Sequence, residues 1–326
     1  MNIRANELIN SDIYVREPVD KYKNKINNSE SNKVILTGGR GTGKSVVLNE
    51  LQQRGLGTNN QTVLMRFDSV INFDINPTEY FSREFFINYY ELEMANFLLS
   101  YIRKYYGLHY ERYFCKYWDE VKERLDKVVH YANNIAFVED DYLNDLMNAH
   151  EITSKIIDDM KNIIGIDKLN VAFDRFDWTN GKSAFSQVLL KEYFDSFDKA
   201  IVTTDDENLN DEKYINNGYN IIKLDYGKDI DVVKKIINNR IDQYLQKNHD
   251  INIDPEKLND EVFKFLLDNT DGNISTMINV INNFLSTYVW RGGIDDYMET
   301  IKYETNKEND VVKQLKRMGP QPKLWI

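Results

Sequence analysis

The run Lys33–Leu51, KVILTGGRGTGKSVVLNEL, constrains this chain more than any other part of it. Lys33 to Thr37 reads as a short buried strand. Gly38-x-x-x-x-Gly43-Lys44-Ser45 comes next, and Val46, Val47, Leu48 and Leu51 then supply the apolar face of a helix. A strand, a glycine-rich loop and a helix in that order are the setting of a P-loop. The plain structural reading, a glycine turn that merely precedes a helix, leaves the Gly-Lys-Ser ending unexplained.

Each residue of the loop has a chemical part. Gly38, Gly39, Gly41 and Gly43 permit backbone angles that turn successive N–H groups toward one anion. The helix that follows adds its positive end. Lys44 reaches the β- and γ-phosphates, and the Ser45 hydroxyl coordinates Mg²⁺. With Arg40, Thr42 and Val46, the stretch Gly38 to Val46 is the expected nucleotide site, and ATP with Mg²⁺ the expected cofactor pair.

A second stretch, VAFDRFDW from Val171 to Trp178, reads as the end of a buried strand carrying a metal-side acid, Asp174. Nucleotide hydrolases usually place a second acid next to it to activate water. Arg175 stands there instead. Asp177 is one candidate for polarising the water, and capping the loop before Thr179 and Asn180 is its equally weighted alternative. Absent water activation costs on the order of 10²–10⁴-fold in rate, so hydrolysis is expected to be slow or partner-dependent.

The rest of the chain alternates strands and helices as a parallel sheet covered on both faces requires. Strands are expected at Thr62–Asp68, Leu169–Asp174, Lys199–Asp205 and Tyr219–Asp225. A long helical stretch from Thr78 to about Ile164 breaks near Gly107 and Asn133. Its aromatic segments, EYFSREFFINYY and HYERYFCKYW, suit base stacking, but aromatics at helical spacing more often form core. His109, His130 and His150 lack metal-ligand spacing. After Asp229 only helices are expected. This gives a core over residues 1–227, with a helical insertion at about 77–164, and a helical unit with its tail over 228–326.

Several motifs fall in order along this frame, and together they resemble the AAA+ and STAND ATPases, most closely the Orc-type initiator branch. YVREPVDKY looks like the box before the first strand, GGRGTGKS like Walker A, and NVAFDRFDW like Walker B. AIVTTDD falls on the sensor 1 strand, which makes Thr204 and Asp205 the sensor 1 candidates. IIKLDYGKDIDVVKKIINNRIDQYL resembles the junction to a lid, with an Ile-Ile-x-x-Arg pattern ending at Arg240. TDGNISTMINVINNF sits where a lid carries sensor 2, but Ile274, Ser275 and Thr276 fill the turn that would hold its arginine. The resemblance implies an AAA+-like P-loop α/β fold with a helical insertion and an all-helical lid. Lys44, Asp174 and Asp177 would serve catalysis, and Ser45 and Asp174 the metal.

Composition bounds the partners. The 326 residues are 42% hydrophobic and 13% aromatic, as in a folded globular chain. The formal net charge of −11 disfavours DNA, whose phosphates it repels. No apolar run approaches the roughly 18 residues of a membrane span. The first residues lack the apolar core of a secretory signal. Cys115 is the single cysteine, and a cytoplasmic setting is expected. The expected function is a nucleotide-dependent switch signalling to a protein partner or to further copies of itself. A DNA-acting ATPase (a replication initiator, transposition regulator or packaging motor) is the alternative.

Overall fold

The structure, a computed structural model, describes residues 14–39, 41–56, 59–66, 83–133, 149–174, 196–204, 211–247, 253, 258–291 and 293–318. Its order begins with α1 (Arg16–Asn27), β1 (Lys33–Thr37), α2 (Lys44–Arg54) and β2 (Asn60–Arg66). Three helices follow: α3 (Arg83–Tyr106), α4 (Leu108–Asn133) and α5 (Ala149–Asp159), the last running into a π-turn at Met160–Ile164. Then come β3 (Lys168–Asp174), β4 (Lys199–Thr204), α6 (Asp211–Ile215) and β5 (Tyr219–Lys223). Four helices close the series: α7 (Ile230–Lys247), α8 (Asp260–Thr270), α9 (Ile274–Arg291) and α10 (Tyr297–Met318).

The strands form one five-stranded parallel sheet in the order β2-β3-β4-β1-β5. This is the α/β parallel-sheet class expected from the alternation. β2 (Asn60–Arg66) begins two residues before the expected Thr62, and the last two residues of the expected strand, Phe67 and Asp68, lie outside the described residues.

Both faces of the sheet are covered, which is why its strands read as nearly continuous apolar runs. Successive side chains point to opposite faces, and the packing follows that period. Ile35, Val63, Val171, Phe173 and Val202 join the core under α3, α4 and α5. Their neighbours Val34, Leu36, Leu64, Ala172 and Ile201 join a second core against α1 and α2. A third core, with Ile237, Leu266, Val280 and Phe284 at its centre, is formed by the helices after β5. Of the aromatic-rich stretch, Tyr101, Phe114 and Tyr117 are buried as core, whereas Tyr105 and Tyr113 are exposed.

The sheet order has a direct consequence for the site. β4 lies between β1, which leads into the glycine loop, and β3, which ends in Asp174. In a parallel sheet the carboxyl ends of all strands open on one side, and ligands bind there.

Candidate nucleotide site

Three glycines give the loop its shape. Gly38, Gly41 and Gly43 have φ of +154°, +86° and +95°, values that L side chains rarely adopt. Within the loop, Thr42 Oγ1 donates to Gly39 O at 2.9 Å, and Val46 N donates to Gly43 O at 2.9 Å as α2 starts. Lys44 is 8% exposed. Its Nζ donates to Gly38 O at 2.5 Å and to Gly39 O at 3.1 Å, so the ammonium lies inside the curve of the loop. A cation held there faces the point toward which a P-loop aims its amides. Arg40 lies outside the described residues.

Asp174 ends β3 and is 3% exposed. Ser45 Oγ donates to its Oδ1 at 3.1 Å, and Thr203 Oγ1 donates to the same oxygen at 3.3 Å. The structure thus brings together the two residues expected at the metal. A hydroxyl beside one carboxylate suits Mg²⁺, which is held by few protein ligands and keeps several waters. Among the described residues no cluster of three or more His, Cys, Asp or Glu offers an all-protein metal cage.

Of the sensor 1 candidates, Thr204 is buried at the end of β4, in register with Thr37 of β1. Its neighbour Thr203 donates to Asp174 Oδ1. β4 alternates faces, so the two threonines point to opposite sides of the sheet. Asp177, Arg175 and Asp205 lie outside the described residues.

The wall of the loop comes from the start of α9, in the segment TDGNISTMINVINNF that the sequence places at a lid, although its contact with Gly41 is not evident from sequence. Ser275 N donates to Gly41 O at 3.3 Å. A Cβ on Gly41 would lie 2.3 Å from Asn273 Oδ1 and 2.8 Å from Ser275 Cβ. That Asn273 oxygen also accepts from Thr276 N at 3.0 Å, capping α9. On the other side, a Cβ on Gly38 would approach Leu224 O, just past β5, at 3.3 Å. A conspicuous Asn between Gly272 and the apolar spacing of α9 was the available signal.

α1 binds the two ends of this arrangement. Asp225 N donates to Tyr22 Oη at 3.0 Å, and that hydroxyl donates back to Asp225 Oδ1. Lys235 of α7 pairs with Glu17 at 2.6 Å. Glu50, fully buried on α2, meets Arg54 at 2.8 Å and accepts from Tyr14 Oη at 3.2 Å. Burial, and then the Glu50 charge, push the Tyr14 hydroxyl well above its ordinary pKa.

Fold and site together define an α/β protein with a parallel five-stranded sheet, consistent with a P-loop-like domain, in which a glycine loop joins β1 to α2 and a buried acid ends the strand beyond β4. Among known families, the model described as mitochondrial ribosomal death-associated protein 3 matches residues 13–105, the part that runs from α1 through the loop to the end of α3. A comparison with curated proteins gives no match. The family match corrects the resemblance to the Orc-type branch of AAA+ and STAND ATPases, because the family found is a different one. The physical reason is that a loop after the first strand and an acid at a neighbouring strand end follow from the P-loop sheet itself. Their order along the chain therefore does not separate one branch of P-loop proteins from another.

Proposed function

We propose that this chain binds ATP with Mg²⁺ at Gly38–Val46 and that a partner reads its nucleotide state. The observation that carries the proposal is the contact between Ser45 and Asp174, which places a hydroxyl and a buried carboxylate together beside the glycine loop. Lys44 and the loop amides would hold the phosphates. The loop reads phosphate and metal rather than the base, so ATP and GTP belong in the same titration.

The switch reading rests on the contact of Gly41 with Asn273 and Ser275. A triphosphate seated against the loop would press on the start of α9, and the helices from residue 228 onward would act as a lid. Hydrolysis is proposed to be slow or partner-dependent, because in the sequence Arg175 occupies the position next to Asp174, with Asp177 one candidate for polarising the water.

The matched family's description names a ribosomal and mitochondrial setting. It supports a partner that is a protein or a protein–RNA assembly, alongside association with further copies of this chain. It also supports a mitochondrial location over the cytoplasmic one expected from the sequence; a single exposed cysteine suits either reducing compartment. Among the described residues no helix is long and apolar enough to cross a membrane.

The test is to purify the protein, denature it and identify any nucleotide released. Retained ATP or ADP is the expected result. A nucleotide-free protein whose turnover rises with DNA would contradict the switch.

A further inference from the structure

At the corner where α3 meets α4, Gly107 takes φ +78° and the chain reverses around a connected row of rings. Tyr105 lies 4.4 Å from Tyr101 between centroids, and Tyr101 lies 6.2 Å from Tyr106. The row crosses to α4 through Tyr110, 6.0 Å from Tyr106, and continues through His109 at 5.3 Å to Tyr113 at 6.0 Å. Tyr101 is buried and anchors the row, whereas its two ends, Tyr105 and Tyr113, are 51% and 44% exposed. Both ends are therefore held from behind and open in front.

Each open ring carries a cation. Lys104 Nζ stands 5.1 Å from the Tyr105 centroid, and the Arg112 guanidinium 5.0 Å from that of Tyr113. The nearby Arg103 and Lys116 are paired, with Glu111 at 3.6 Å and Asp159 at 3.6 Å. Lys104 and Arg112 form no ion pair with any described carboxylate, in a chain whose net charge is −11. Arg112 Nη2 donates to Tyr113 Oη at 3.1 Å, which keeps the guanidinium at the ring. Cations without a carboxylate partner among the described residues, beside supported, exposed rings, match two needs of an unpaired polynucleotide, a face on which a base stacks and a charge for the phosphate next to it.

We propose that the α3–α4 corner is a docking surface for single-stranded RNA, with bases stacked on Tyr105 and Tyr113 and phosphates held by Lys104 and Arg112. The choice of RNA over DNA rests on the assembly reading given above. Stacking needs free base faces, so a duplex, whose bases are already stacked on one another, is a poor ligand here. Tyr105 Oη also accepts from Gln52 Nε2 of α2 at 3.4 Å, which joins the platform to the helix that leaves the phosphate loop.

The test measures fluorescence anisotropy of a labelled twelve-nucleotide RNA with the full chain at two salt concentrations. Because stacking contributes on the order of 1–3 kcal/mol per base, the Tyr105→Ala/Tyr113→Ala pair should lose roughly tenfold or more in affinity. Tyr105→Phe/Tyr113→Phe should keep it, and Lys104→Ala/Arg112→Ala should flatten the salt dependence. Unchanged melting of the alanine pair ties the loss to the surface rather than to the fold. Lys44→Ala, measured on the same RNA, should bind as the wild type does, which separates this surface from the nucleotide site. Equal affinity for duplex RNA, tighter binding of the matching DNA strand, competition by an acidic peptide at equal concentration, or an alanine pair that binds normally would each overturn the proposal.

Discussion

Ser45 Oγ and Asp174 Oδ1 stand 3.1 Å apart although 129 positions separate them in the chain. The sheet order makes the meeting possible: β4 spaces β3 from β1, so the acid at the end of β3 faces the first turn of α2. Thr203 holds the same carboxylate oxygen from β4 at 3.3 Å. In the proposed site Ser45 and Asp174 would hold Mg²⁺, Asp174 through the metal's waters. Outer partners of this kind are typically worth about 10–100-fold in metal affinity. Asp174→Asn should therefore raise the Mg²⁺ concentration needed for nucleotide binding by about that factor, and chelating the metal should weaken binding to the wild type. Titration of nucleotide at several Mg²⁺ concentrations checks both. An Asp174→Asn protein with an unchanged Mg²⁺ requirement would remove this residue from the metal site.

Gly41→Ala is expected to loosen the start of α9 from the loop. The φ of +86° alone costs an L-residue about 1–2 kcal/mol. The added carbon also displaces Asn273, whose side chain caps the helix. Thermal melting should show the loss, and Asn273→Gly in the same chain should restore part of it by making room. A Gly41→Ala protein that melts like the wild type would place α9 away from the loop.

Asp260 carries a small acid dependence. Lys234 donates to it at 2.7 Å, and that hydrogen bond, followed by the lysine's charge, holds its carboxyl below the ordinary carboxylate range. A depressed carboxyl pKa stabilises the fold above the unfolded value and loses that contribution as pH falls through the folded value. Denaturant midpoints at neutral and acid pH should thus differ slightly less in Lys234→Ala than in the wild type. Asp260 is exposed and Lys234 half-buried, so a large change would point to another carboxylate.

Much of the sheet was readable because a strand buried on both faces leaves an uninterrupted apolar run. LNVAFD and KAIVTT are such runs, and both form strands where expected. The glycine loop was readable because its conformations exclude most other residues. Less legible was anything decided by a one-residue step or a distant contact. Thr203 and Thr204 look alike in sequence, and the contact of Thr203 with Asp174 depends on the pleat of β4. Asn273 reads as an ordinary helix cap, and its second role against Gly41 depends on how α9 folds back. The aromatic stretch divided between the two readings, Phe114 entering the core and Tyr113 remaining outside, because helical spacing fixes a face but not what covers it.

Arg175 and Asp177 bear on turnover by sequence alone, as both lie outside the described residues. If the Arg175 position limits water activation, Arg175→Glu should raise basal hydrolysis. Asp177→Asn should lower whatever hydrolysis the wild type has, by up to about 10²–10⁴-fold for a general base. Steady-state phosphate release, with melting recorded for each variant, measures this. A fast wild type that loses activity with Arg175→Glu and ignores Asp177→Asn would contradict the slow-switch account.

The most direct test of the nucleotide site is titration of a fluorescent ATP analogue, with GTP as competitor, into wild type and Lys44→Ala. Lys44 Nζ sits within the curve of the loop against Gly38 O and Gly39 O. Its loss removes the cation that lies there while leaving the sheet intact. The account predicts saturable, Mg²⁺-dependent binding to the wild type and none to Lys44→Ala, with circular dichroism unchanged. Wild-type affinity in a folded Lys44→Ala protein would mean that the glycine loop is not where the nucleotide binds.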